Sequence, residues 1–233
     1  DIKKEINKSD LESIDLMVEE RLKGKPLAYL TGNKGFWKSD FIISPDVLVP
    51  RPETETLVEA VLNENLQGKT LLELGTGSGV ISISIAQESR DCIIFATDIS
   101  IKSILVAKQN AEKFCCENII FLNHDWNNEW LFPQVDYLIS NPPYVDKEKT
   151  SGKEEGIWYE PEKALFSNDK GLSDLRLILS KGKNYLNENG KVYLEHAPDQ
   201  YEELNKFALK NGYLNFSNLN DLNGDKRVSI YQC

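Results

Sequence analysis

From residue 69 to the carboxyl end, short apolar runs alternate with longer stretches whose apolar residues recur at helical spacing. The pattern predicts strands over 69–74, 92–97, 119–122, 135–140 and 191–195, and helices over 80–87, 101–113, 172–186 and 200–211. The strand runs are apolar throughout instead of alternating, so they are expected to be covered on both faces. Strand-helix alternation of this kind fits only a few architectures, chiefly a mostly parallel sheet with helices on both faces. Two last strands are expected near 213–216 and 228–232 with no helix between them, so one inserts antiparallel.

The chain before residue 69 reads differently. Ser9-Asp10-Leu11-Glu12 looks like a capping box. A helix over 9–23 is predicted, stopped by Gly24 and Pro26. Alone it has little to pack against, so residues 1–25 are expected to be the last part of a small helical domain. Residues 26–50 carry aromatics and turn signals and are expected to form a hairpin linker. Pro50-Arg51-Pro52-Glu53-Thr54-Glu55 opens a helix to about residue 65, with Pro52 at a tolerated first-turn position. Residues 51–233 are then the main domain. Arg51 and Glu53 suit bracing of the hairpin slightly better than lining a cleft.

Chemistry-bearing residues gather where the predicted strands end. Glu73-Leu74-Gly75-Thr76-Gly77-Ser78-Gly79 closes one strand and opens a helix, so backbone N–H groups can approach a ligand. The spacing GxGxG, with Val80 where a dinucleotide fingerprint needs its third glycine, disfavours a dehydrogenase. The acidic Glu73 suits a cationic amino-acid head better than a pyrophosphate. Asp98 ends the next strand, where a carboxylate can take both ribose hydroxyls. A helix cap is its plainer role. Ile99, beside it, is counted with the same site. His124-Asp125-Trp126 ends the third strand. Trp126 can stack on an adenine and Asp125 can accept an adenine amino group, or the Trp packs on a helix edge. Together these features suit S-adenosylmethionine.

The fourth such strand runs into Asn141-Pro142-Pro143-Tyr144. Two prolines cannot continue a ladder or begin an ordinary helix turn, so the chain leaves the sheet stiff and extended. An amide oxygen, a proline carbonyl and an aromatic face are then presented together. That set suits a planar –NH2 group: Asn141 and Pro142 accept its two hydrogens, and Tyr144 packs on its plane. Asn141, Pro142 and Tyr144 are the expected catalytic residues, with Pro143 completing the substrate-binding segment. His124 and His196 each follow a strand without a partner and are expected to be structural.

The 233 residues carry a formal charge of −10, so the footprint of a general nucleic-acid binder is missing. No apolar run is long enough to span a bilayer. The four cysteines form no CxxC pair and stand away from both histidines, so neither a zinc site nor a disulfide framework is expected. Reduced thiols point to the cytoplasm. The chain does not begin with Met, as in a fragment or a processed chain.

With these residues in view, the chain resembles the HemK-type protein-(glutamine-N5) methyltransferases that modify peptide chain release factors. The resemblance runs through residues 24–32, Phe36-Trp37, residues 49–55, residues 73–79 and residues 141–144. It continues through Tyr159-Glu160-Pro161 with Ala164-Leu165, Leu194-Glu195-His196 with Gln200, and residues 221–227. Asn-Pro-Pro-Tyr alone is shared by many amino-group methyltransferases, whereas the Pro50–Glu55 segment is far more specific. The resemblance implies a seven-stranded, Rossmann-like class I S-adenosylmethionine-dependent methyltransferase fold, preceded by a helical bundle and a hairpin. It implies methylation of the glutamine of a Gly-Gly-Gln motif in release factors, in support of translation termination. By the same match, the Gly75–Gly79 loop, Asp98, Trp126 and Asn141 would bind the cofactor, and residues 141–144 the glutamine. The chain departs from the family at its front, where only a remnant of the bundle is expected, and in its turn at Asn168-Asp169-Lys170-Gly171.

Two other classes compete. A nucleic-acid amino-group methyltransferase can use the same tetrapeptide, but the charge and the absence of an appended basic domain oppose it. A non-catalytic cofactor-binding protein would not need the intact Gly loop, Asp98 and Asn141 together. Release factors are thus the expected partners, with no direct nucleic acid and no membrane. The Lys153-Glu154-Glu155-Gly156 segment reads as a solvated lid-like loop.

Overall fold

The structure, a computed structural model, describes residues 7–150 and 156–233. Lys153, Glu154 and Glu155 of the expected lid therefore lie outside the described residues.

The front consists of α1 (Lys8–Leu22), a short α2 (Leu27–Thr31) and a hairpin of β1 (Asn33–Phe36) and β2 (Ser39–Ile42). A 3-10 turn at Pro52–Thr54 leads into α3 (Glu55–Leu62). The main sheet then begins with β3 (Thr70–Leu74), α4 (Val80–Glu88), β4 (Ile93–Asp98), α5 (Ile101–Lys113), β5 (Ile119–Asn123) and β6 (Val135–Ser140). After a 3-10 turn at Ile157–Tyr159 come α6 (Glu162–Leu165) and a tight turn, α7 (Asn168–Gly171). The chain ends with α8 (Ser173–Gly182), β7 (Leu186–Glu195), α9 (Tyr201–Lys210), β8 (Asn215–Asn220) and β9 (Lys226–Gln232).

The main sheet has seven strands in the order β5-β4-β3-β6-β7-β9-β8. The first five run parallel, and β9 is antiparallel to both β7 and β8. Central strands are buried because both sheet faces are covered: Leu71, Leu72, Leu74, Leu138 and Ile139 are fully inaccessible. Each such side chain contributes roughly 1.5–3 kcal/mol of transfer free energy. One core cluster joins the sheet to α3, α4, α5 and the hairpin, and a second joins it to α8 and α9. The chain winds outward from β3 to β5, then returns to the other side of β3 as β6. That reversal opens a crevice above the carboxyl ends of β3, β4 and β6.

The hairpin is tied down by polar contacts that bear on this crevice. Asn110 of α5, fully buried, accepts from the Ile42 N–H at 2.7 Å and donates to the carbonyls of Ile42 and Ser78. The hairpin, α5 and the Gly loop are thus fixed by one amide. Trp37 sits in the hairpin turn with φ +53°, and its N–H donates to Glu55 Oε1 at 2.8 Å.

Several boundaries differ from expectation. The cap of α1 is Asn7, whose side chain accepts from the Asp10 N–H at 2.9 Å, while Ser9 donates to that same oxygen. Asn caps as well as Ser, and the helix is shifted one residue toward the amino end, to Lys8–Leu22. The helix expected over 172–186 ends at Gly182, and β7 starts at Leu186. The strand expected from residue 191 begins at Leu186, and residues 187–190 form an irregularity within it: Asn189 has φ +64°, and the pairing with β6 shifts register there. The strand expected near 213–216 is β8, at Asn215–Asn220.

Candidate active site

Glu73 closes β3 and lies beneath the Gly loop. Its Oε2 accepts from the Thr76 hydroxyl at 2.7 Å and from the Ser82 hydroxyl. Its Oε1 is buried without a partner among the described residues. Burial pushes the carboxyl up to about 7, against the pull of Ser82 and Thr76. Glu73 therefore braces the loop and keeps one oxygen unspent.

The loop glycines do different things. Gly75 has φ +77°, and a Cβ there would stand 3.1 Å from the Trp126 ring. Trp126 thus packs against the loop, its Nε1 donating to Asp174 at 3.0 Å. Gly79 has φ +83°, and a Cβ there would meet Ile83 at 2.8 Å and Ala107 at 3.1 Å. It serves the packing of α4 on α5 and does not face a cavity. Ser78 is buried and offers its carbonyl to Asn110.

Asp98, ending β4, accepts from the Gly77 N–H at 2.9 Å and the Ser100 N–H at 2.8 Å. The helix cap itself is Ser100, whose hydroxyl accepts from the Ser103 N–H. Burial raises the Asp98 carboxyl, partly offset by those two N–H groups. Each oxygen keeps a lone pair for a further donor.

These elements enclose a cavity of about 680 Å³. Gly75, Gly77, Asp98, Ile99, Trp126, Asn141 and Pro143 line it. Glu73, Thr76, Ser78 and Gly79 lie behind the wall. Asp125 is not brought to it either, since its carboxylate accepts from the backbone and side chain of Asn127. A second cavity of about 230 Å³ adjoins, lined by Arg51, Asn141, Pro142, Tyr144 and Ile157 among others. Asn141 belongs to both walls. The donor set suits S-adenosylmethionine: a carboxylate with free lone pairs for ribose hydroxyls, an indole beside a glycine turn, and a largely apolar lining.

Residues 159–164 roof the larger cavity. Glu160 holds this strap. Only 5% exposed, it accepts from the Val49 N–H at 2.9 Å and from the Arg51 guanidinium. Arg51 both braces the strap and lines the smaller cavity. Tyr159 donates to the Lys23 carbonyl at 3.0 Å, joining the strap to the end of α1.

Behind the Asn-Pro-Pro-Tyr segment lies a buried polar group that sequence reasoning did not assign. Tyr144 donates to Glu195 Oε1 at 2.9 Å. Asn141 Nδ2 donates to the Thr54 hydroxyl at 3.1 Å. Glu195 is fully inaccessible, and burial pushes its carboxyl up to about 7, against the pull of Thr54, Tyr144 and Arg227. The Tyr144 phenol is pushed far up by burial and by Glu195. A carboxylate at the end of an apolar strand was the available signal. His196 is structural: its Nδ1–H donates to the Ala197 carbonyl, so Nε2 accepts from Ser229, and burial lowers it to about 4. His124 packs edge-on against Phe132.

The methyltransferase small domain family matches residues 52–160. A release factor glutamine methyltransferase from Francisella tularensis is 35% identical, over 98% of this chain and 82% of its own length. Another, from Coxiella burnetii, is 36% identical over 97% of this chain and 82% of its own length. The chain belongs to the release factor glutamine methyltransferase family. The fold is that of class I methyltransferases, as a Pyrococcus furiosus methyltransferase structure shows, with TM-score 0.63 and 19% identity over 95% of this chain and 98% of that one. Among the described residues no helix is long and apolar enough to cross a membrane, and no cluster of His, Cys, Asp or Glu could hold a metal.

Proposed function

We propose that the chain methylates the side-chain amide nitrogen of the glutamine in the Gly-Gly-Gln motif of peptide chain release factors. The observation that carries this reading is the place of Asn141 in the walls of both cavities. The larger cavity suits the cofactor, and the smaller, with Pro142 and Tyr144, suits a planar amide. We assign Gly75, Gly77, Asp98, Ile99 and Trp126 to the cofactor, with Thr76, Ser78 and Gly79 shaping the loop. Glu73, buried behind the wall, would act on the amino-acid end through the loop it braces. The four free cysteines fit a reducing cytoplasm. Residues 1–25 would be the end of a helical domain and residues 26–50 the linker.

When bound, S-adenosylmethionine supplies a methyl group on a positively charged sulfur. An amide nitrogen is a poor nucleophile because its lone pair is delocalised into the carbonyl, so the protein's main task is positioning. Asn141 Oδ1 and the Pro142 carbonyl would accept the two glutamine N–H groups and hold the nitrogen in line. The same acceptors stabilise the positive charge that develops on nitrogen. Tyr144 would pack on the amide plane. No general base is required, because the N-methylated amide cation is strongly acidic and sheds its proton after transfer.

Glycines flanking the glutamine would let a protein loop reach the narrow cavity without side-chain clashes. The net charge of −10 opposes a nucleic-acid substrate. The test is incubation with labelled S-adenosylmethionine and a purified release factor, followed by mass spectrometry. Label is expected on the Gly-Gly-Gln glutamine and on neither DNA nor RNA. A Glu at that position should take none, since it has no –NH2 and is repelled by the acceptors. Label on nucleic acid, or on the Glu variant, overturns the reading.

A further inference from the structure

An amide has two ends. The acceptors assigned above, Asn141 Oδ1 and the Pro142 carbonyl, take the glutamine –NH2 and leave its carbonyl oxygen without a donor. A carbonyl moved out of water into the smaller cavity needs one, because a buried acceptor left unpaired carries its full desolvation cost. We propose that Arg51 is a substrate-binding residue, its guanidinium donating to the side-chain carbonyl oxygen of the target glutamine. The proposal rests on the methyltransferase reading above and deepens it.

Of the side chains that line the smaller cavity, only those of Arg51, Asn141 and Tyr144 can donate a hydrogen bond. Asn141 Nδ2 donates to the Thr54 hydroxyl at 3.1 Å, and with Oδ1 turned to the substrate it faces away. Tyr144 gives its one proton to Glu195 at 2.9 Å. Arg51 differs. Among the described residues its guanidinium makes one hydrogen bond, from Nη2 to Glu160 Oε1. A guanidinium has further N–H groups on Nη1 and Nε, and this side chain is half-exposed beside the cavity.

The chain holds Arg51 at this place. It stands between Pro50 and Pro52, and the proline after it favours extended backbone, here φ −100° and ψ 142°. Its carbonyl accepts from the Thr54 N–H at 3.1 Å, which ties it to the turn before α3. The buried Glu160 steadies the head of the side chain, its other oxygen accepting from the Val49 N–H. The guanidinium therefore meets a substrate already oriented. The pairing also cancels its charge locally. The site offers a strong donor without a net cation, and so suits a neutral amide better than a carboxylate. The specific Pro50–Glu55 segment thereby gains a role at the substrate.

The chemistry sets what this bond can do. Resonance places negative charge on an amide oxygen, and that charge is lost as the nitrogen lone pair turns to the methyl group. The Arg51 bond is then stronger in the ground state than in the transition state, so it serves binding and orientation more than rate.

The experiment is a double-mutant cycle across the interface. It uses the full chain, S-adenosylhomocysteine as the spent cofactor, and two release factors, one natural and one with Ala in place of the Gly-Gly-Gln glutamine. Calorimetry reads each affinity. The wild-type chain should prefer the Gln factor, and Arg51→Met should shrink that preference by roughly ten- to a hundredfold. In turnover, KM for the release factor should rise by a similar factor, with a much smaller change in kcat. A residue that only braces the strap would weaken both factors alike. Equal weakening therefore overturns the proposal, as does an unchanged preference or a loss confined to kcat. If Arg51→Met does not fold, Arg51→Lys takes its place, keeping a cation on Glu160 without the planar fork. The preference should narrow there too, and a wild-type preference overturns the proposal. If the wild-type chain puts no label on glutamine at all, the methyltransferase reading fails first. That outcome is distinct from a labelled glutamine whose factor is bound equally well by wild type and Arg51→Met.

Discussion

Both oxygens of Asp98 already accept a backbone N–H, from Gly77 and Ser100. The carboxylate therefore shapes the Gly loop as well as offering lone pairs to the cavity. Asp98→Ala should weaken S-adenosylmethionine binding by roughly 1.5–3 kcal/mol for each charge-assisted bond lost, with some further loss from loosening of the loop. Calorimetry reads this directly, and unchanged affinity would take Asp98 out of the site. Asn141 differs because its contribution is orientation. Asn141→Ala should leave the fold intact and cut the single-turnover rate by about a hundredfold, with a smaller loss of cofactor affinity because the residue borders both cavities. A normal single-turnover rate in that variant would end the positioning role.

Among the elements, the junction of α4 with α5 has little room. Gly79→Ala would put a methyl group 2.8 Å from Ile83 on a backbone with φ +83°. Overpacking and the left-handed backbone together should cost about 2–4 kcal/mol, seen as a lower denaturant midpoint with an unchanged slope. The strap over the larger cavity depends on fewer bonds. Glu160→Ala leaves the Val49 N–H unpaired, whereas Arg51, 40% exposed at its side chain, can turn to water. The cost to global stability should be only about 1–3 kcal/mol. The strap would loosen, and KM for both ligands should rise more than kcat falls. Steady-state kinetics against each substrate in turn would distinguish this from a catalytic defect.

At the scale of the whole molecule, two buried carboxyls and a buried imidazole set the response to pH. Glu73 and Glu195 are each raised to about 7 from 4.5. The folded state thus holds protons that the unfolded chain gives up, so stability falls as pH rises from about 4.5 to about 7. His196, lowered to about 4 from 6.5, works the other way, since stability is lost as pH falls below about 6.5. Above about 6.5 the two carboxyls outweigh the fading contribution of His196. Thermal melts should show a higher melting temperature at pH 6.5 than at pH 8, and Glu195→Gln should shrink that difference. The far end of the molecule contributes little to stability. Helix α1 buries none of its residues, and Leu11, Ile14, Met17 and Leu22 stand in solvent. Removing residues 1–22 should leave the melting temperature nearly unchanged, while a large drop would show that α1 is held more firmly than its exposure implies.

What the sequence by itself determined is whatever short-range pattern and strand order specify. Apolar runs such as residues 70–74 and 135–140 read as buried strands, and the glycines after Leu74 and the prolines after Asn141 as turns at strand ends. A parallel sheet necessarily gathers those ends at one edge. The antiparallel insertion of β9 was legible because no helix separates the last two strands. Local pattern placed boundaries less well, as at residues 187–190, which bulge out of the β6–β7 ladder between the pairs Val135–Leu186 and Tyr137–Lys191. The tertiary structure decided which residues of a motif face a cavity. It set Gly77 at the wall and Gly79 at a helix contact, and kept Asp125 within its own loop. It alone joined Asn141 to Thr54 and Tyr144 to Glu195, and closed the strap through Glu160 onto Val49 and Arg51. Such contacts span tens of residues or more. They are fixed by how the sheet twists and packs, and no local propensity encodes which buried carboxylate meets which donor.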